Sequence, residues 1–209
     1  MIHCIDNYRD LPLGVYEQIV AIKTDDPLDT QVAVLSLLTG LSERELLNLP
    51  IGDYAALAGK AQFLTRQPEA LPRVADCYKV GGFELIPASD LRKVTAAQYI
   101  DFQAYAPDAE HKLVEILSCF LVPRGMKYND GYDILDVHAA IRDLSVADAL
   151  ALSAFFLNRY VALIRATRTS LEKMARRERN PQRRAEMEER MERIRAAGLL
   201  LTGGDGWPA

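Results

Sequence analysis

The stretch "SVADALALSAFFLNRYVALIRATRTSLEKMARRERN", residues 145–180, decides the fold. Ser145 with Asp148 three residues later forms a capping pattern that opens a helix, and no proline or glycine interrupts the run to Asn180. A continuous helix of this length would reach about 50 Å at 1.5 Å per residue, longer than a small domain is wide. Its first half is apolar, with Leu150, Phe155, Phe156, Tyr160 and Leu163, and belongs to a core. Its second half is arginine-rich and reads as a solvated rod. The chain is therefore expected to be mainly α.

The segments on either side agree. In "PLGVYEQIVAIKT", Val15, Ile19 and Ile22 fall on one helical face. In "DDPLDTQVAVLSLLTG", Asp26 is placed as an N-cap, Pro27 at the first helical position and Gly40 as a C-cap. "SERELLNLP" opens with the capping box Ser42 and Glu45, and "IGDYAALAGKAQFL" sets Tyr54, Leu57, Ala58 and Ala61 on one stripe. The pattern changes at "CYKVGGFELIP", where short alternation flanks Gly81-Gly82 and predicts a β-hairpin near 77–87. A lone hairpin is marginal in water, so it should lie on helices or extend a partner's sheet. Thr95 and Gln98 cap "AAQYIDFQAY", with Tyr99, Phe102 and Tyr105 as an aromatic stripe. "AEHKLVEILSCFLV" reads as a helix stopped by Pro123.

"FLVPRGMKYNDGYDI", residues 120–134, joins that helix to one opened by the cap Asp133. Gly125 permits a bend, and Asn129-Asp130-Gly131 is a turn tripeptide. Asn129, Asp130, Asp133 and Asp136 offer oxygens, but not at the alternating positions of a calcium loop. Arg124, Lys127, Tyr128 and Tyr132 are its candidate contacts to a partner. Beyond residue 180, Asn180-Pro181 restarts a helix that should stop at Gly198, with Met187, Met191 and Ile194 as a narrow apolar seam. The tail "LLLTGGDGWPA" carries Trp207, an apolar group suited to docking against a neighbour.

The 209 residues suit one domain or a domain with an appendage: a helical body over 1–164 and a basic arm with its tail over 165–209. Net charge is -4, yet Arg165 to Arg195 holds eleven Lys or Arg against six Glu. Arg176, Arg177, Arg183 and Arg184 could meet nucleic-acid phosphates. Against this, glutamates are interleaved at i, i+4 spacing (Glu172 and Arg176, Glu186 and Arg190) and no aromatic residue offers stacking. A protein-binding arm is the preferred reading and nucleic acid the alternative. No uninterrupted apolar run approaches the roughly 18 residues of a membrane span. The start lacks a signal-peptide pattern, and three scattered cysteines suit a reduced, cytosolic setting. His3, His111 and His138 make no zinc motif, and no P-loop, G-x-G-x-x-G or G-x-S-x-G occurs. No catalytic residue, metal or cofactor is expected; an enzyme would need a site assembled from distant residues.

Taken in order, "LLTGLSERELLNLPIGDY", "AAQYIDFQAY", "FLVPRGMKYNDGYDI" and "FFLNRY" resemble a family of small proteins of tailed bacteriophages, including crAss-like phages. The first segment is also similar to a helical segment of baseplate-hub assembly chaperones. The resemblance spans roughly residues 10 to 165 and leaves out the basic arm and the tail. It implies non-catalytic work in virion assembly, as a tail-assembly chaperone or a structural component. It further implies homo- or hetero-oligomers with other phage structural proteins, in the host cytoplasm or the virion.

Overall fold

The computed structural model describes residues 2–68, 71, 73–109, 111–177 and 180–202. It is mostly helical with one small three-stranded sheet. Its contacts group the residues into two compact units, Met1–Glu84 with Asp133–Leu152, and Leu85–Tyr132 with Ser153–Ala209. The boundary expected at residue 164 is a division by composition; this one follows packing, and the chain passes three times between units.

The first unit opens with α1 (Leu13–Ala21), α2 (Pro27–Thr39), α3 (Glu43–Leu47) and α4 (Ile51–Lys60). The local signals act as expected. Asp26 accepts a hydrogen bond from the Leu28 amide at 2.8 Å, and Gly40 ends α2 in the left-handed region at φ 71°. The Ser42 and Glu45 capping box forms in both directions. Leu35, Leu38 and Leu46 are fully buried in a core with Leu11, Leu57 and Val146. Strands β1 (Tyr78–Val80) and β2 (Phe83–Pro87, whose last three residues belong to the second unit) form the hairpin, with Gly81 at φ 54° and Gly82 at φ 78° supplying its turn. The turn sits on α7 (Ile134–Arg142), where Asp133 caps the first turn. The backbone at Leu11–Leu13 pairs with Leu144 and Val146, seating the start of α8 (Val146–Arg177).

The second unit holds α5 (Ala96–Tyr105), α6 (Leu113–Ser118), β3 (Leu121–Pro123), the rest of α8 and α9 (Pro181–Thr202). Phe102, Phe120, Phe156 and Tyr160 form its aromatic centre, with ring centroids 4.8–5.2 Å apart. Gln103 donates to the Tyr160 hydroxyl at 3.1 Å.

Three expectations are corrected. The helix predicted to run to Pro123 ends at Ser118, and Leu121–Pro123 is a strand antiparallel to β2, with Leu85 opposite Pro123 and Pro87 opposite Leu121. The hairpin is thus extended by the chain's own third strand. The second half of α8 is not wholly solvated, since Leu171 and Ala175, one turn apart, are buried. Finally, α9 runs through Gly198 to Thr202. Helix α8 is also long and apolar enough, by length and averaged composition, to pass as a membrane span, although no uninterrupted run is. Ala149, Leu152, Phe156 and Tyr160 on it are buried within protein, as on any core helix.

Candidate partner-binding surfaces

Residues 120–134 are anchored from below. Gly125 (φ 78°), Asn129 (φ 55°) and Gly131 (φ 88°) take the left-handed region and fold the loop tightly. The Tyr128 hydroxyl donates to Asp101 Oδ2 at 2.8 Å, tying the loop to α5. Cys119 lies beside it, with Sγ 3.9 Å from the phenol and 3.3 Å from the Glu115 carbonyl. Burial pushes the Cys119 thiol up to about 12, and burial, with Cys119 and Asp101 adding to it, pushes the Tyr128 phenol well above its usual range. Both groups stay protonated. The Tyr132 hydroxyl accepts from the Asn129 amide at 3.2 Å. Of the candidate contacts in this loop, the two tyrosines are half-buried with their hydroxyls engaged inside the unit, while Arg124 and Lys127 are exposed.

The arm is split in the same way. Arg176, Arg183 and Arg184 are exposed, and Met187 and Met191 are half-buried. The side chain of Arg177 and all of Trp207 lie outside the described residues. Asn180 caps α9 by accepting from the Gln182 amide at 2.9 Å. Among the described residues, no group of three His, Cys, Asp or Glu side chains is arranged to hold a metal ion. Asp133 is occupied as a helix cap instead.

Two features have no clear signature in the sequence. One is Gln98, a buried side chain that completes the Thr95 capping box and donates to the Cys119 carbonyl at 2.7 Å. The capping box is visible in the sequence; the second bond depends on where α6 lies. The other is an open cleft of about 350 Å³ floored by Ile86, Val94 and Val122, with Lys93 and Arg124 on its lining. No local pattern marks it, because its floor comes from segments some 35 positions apart.

The outward face of α5 is the third element of the surface. Ala96, Ala97, Tyr99, Ile100 and Ala104 are exposed, with Ile100 at 64%. The helix carries one charged residue, Asp101, and that carboxylate is taken by Tyr128. No protein-family model, curated protein or solved structure matches the chain.

Proposed function

We propose that the protein works without catalysis, by contacts with other polypeptides during assembly of tailed-bacteriophage particles, as a chaperone or a structural component. The observation that supports this best is the uncharged, exposed face of α5. Solvated helices ordinarily present charge outward, and an apolar stripe at positions 96, 100 and 104 suits a partner helix. The same segment, "AAQYIDFQAY", belongs to the sequence pattern that resembles phage assembly proteins.

The test is co-expression with the proteins encoded by neighbouring genes, followed by size-exclusion chromatography. A stable complex that dissociates with Ile100→Glu, at unchanged helix content, supports the reading. Absence of any complex overturns it, and a complex indifferent to Ile100→Glu removes α5 as the contact.

A second reading, nucleic-acid binding, rests on the exposed Arg176, Arg183 and Arg184. It requires DNA affinity that falls linearly with the logarithm of salt concentration and is lost when these arginines are neutralised.

A further inference from the structure

Helix α5 is built inside out. Ala96, Ala97, Ile100 and Ala104 are exposed and apolar, while the buried and half-buried positions hold Gln98, Asp101, Phe102, Gln103 and Tyr105. A surface helix ordinarily does the reverse. Phe102 is the only wholly apolar side chain among those turned to the body. Three side-chain hydrogen bonds supply the remaining fastening, each to a different part of the second unit. Gln98 Nε2 donates to the Cys119 carbonyl at 2.7 Å, the Tyr128 hydroxyl donates to Asp101 at 2.8 Å, and Gln103 Nε2 donates to the Tyr160 hydroxyl at 3.1 Å. Beneath the helix, the Phe102 ring meets Phe120 and Tyr160 with centroids 5.2 Å apart. The fit there is incomplete. A void of about 10 Å³, marginal room for one water, lies among Phe102, Leu117, Phe120, Phe156 and Tyr160. Side chains lining so small an apolar gap lose dispersion contacts that nothing replaces.

Water replaces a broken hydrogen bond at modest net cost, and an element with few buried apolar contacts opens more easily than the fold around it. We propose that α5 is a detachable flap, which releases from the folded body as a unit by breaking these three bonds and withdrawing Phe102 from the aromatic centre. Its ends suit that movement, since single 3₁₀ turns at Leu91–Lys93 and Ala106–Asp108 flank it and give the chain short places to hinge. Release uncovers Phe120 and Tyr160, the rings that Phe102 touches. The open state therefore presents a second apolar surface beside the outward one at Ile100. The inference is independent of the assembly reading, because release is a property of this chain alone and would stand even if no phage protein bound.

Amide hydrogen exchange on the full-length protein tests it. Amides of residues 99–105 should be at least about tenfold less protected than those of residues 153–160 in α8, which belong to the same unit. Their exchange should also respond more weakly to dilute urea, because a local opening exposes less surface than global unfolding. Tyr128→Phe and Gln103→Ala should each speed exchange at 99–105 by about tenfold, about 1.4 kcal/mol, and leave α2 and α8 unchanged. Ile100→Ala, on the outward face, should change it by no more than about twofold. Equal protection and equal urea dependence in α5 and α8 would show that α5 opens only with the whole fold, and overturns the proposal. So does faster exchange spread evenly over the chain in both anchor variants, or exchange at 99–105 that neither of them alters. An Ile100→Ala effect as large as theirs would show the outward face packed against the body, which equally overturns it.

Discussion

At the scale of single residues, the clearest constraint is the two-glycine turn between β1 and β2. Both residues sit in the left-handed region, where a side chain costs roughly 1–2 kcal/mol. Their surroundings differ. A Cβ on Gly82 would meet nothing within 4 Å, whereas one on Gly81 would lie 2.6 Å from the Ala140 Cβ and 2.8 Å from its Cα. Ala140 is on α7, so relief would require the turn and the helix to part. Gly82→Ala should therefore cost about 1 kcal/mol and Gly81→Ala about 3 kcal/mol or more, read from urea denaturation midpoints. Equal costs would mean that the turn does not press on α7. The need for glycine was legible in "KVGGFE"; the asymmetry was not, since it comes from a residue nearly sixty positions away.

At the scale of elements, sequence signals succeeded where they were local and failed where pairing was distant. Asp26, Ser42, Thr95, Asp133, Ser145 and Asn180 cap the helices they were expected to cap. The failure at Leu121–Pro123 has a plain cause. "LSCFLVP" is a short apolar run, which fits a buried helix end and a buried strand equally well. Pairing with β2 decides the matter, and that partner lies far back in the chain. The carbonyl of Cys119, just before the strand, is held by Gln98, and its thiol is sealed in the core. That sealing has a measurable consequence. Burial holds the folded thiol near 12, against roughly 8.5 for an unfolded cysteine. Because the folded value is raised, the contribution is fully present below the unfolded value and is lost as pH climbs toward the folded one. Tyr160, held near 12 by burial, adds a second loss above roughly pH 10. Between pH 9 and 10, stability should thus fall with a slope of about 1.4 kcal/mol per pH unit from Cys119. Cys119→Ala should flatten that slope in urea titrations at the two pH values. A slope that survives the substitution would assign the loss to other groups, such as Cys4, whose thiol burial also pushes up.

At the scale of the whole molecule, charge is distributed by unit. The unit of Met1–Glu84 and Asp133–Leu152 carries sixteen acidic and eight basic side chains; the other carries thirteen acidic and seventeen basic. The sequence showed the basic arm but not this division, because residues 133–152 lie far along the chain yet add to the acidic unit. Opposite net charges on two units of one protein favour contact between unlike units of different copies, which is reciprocal in a two-fold dimer and sequential in a head-to-tail array. Antiparallel copies satisfy both contacts within one dimer, whereas copies added head to tail form a ring if the rotation closes and a filament if it does not. Charge-driven association of this kind weakens as salt shortens the screening length from about 10 Å at 0.1 M to about 3 Å at 1 M. Light scattering on a dilution series should show self-affinity falling roughly tenfold or more, about 1.4 kcal/mol, between low and high salt. Arg176→Glu with Arg183→Glu and Arg184→Glu should remove the salt-sensitive part, all three positions being exposed. Ile100→Glu on α5 should weaken that part only slightly, because it changes the charge of the basic unit by one where the triple substitution changes it by six. Association that is indifferent to salt but abolished by Ile100→Glu would transfer self-contact to the apolar face, and a monomer under every condition would end the charge argument.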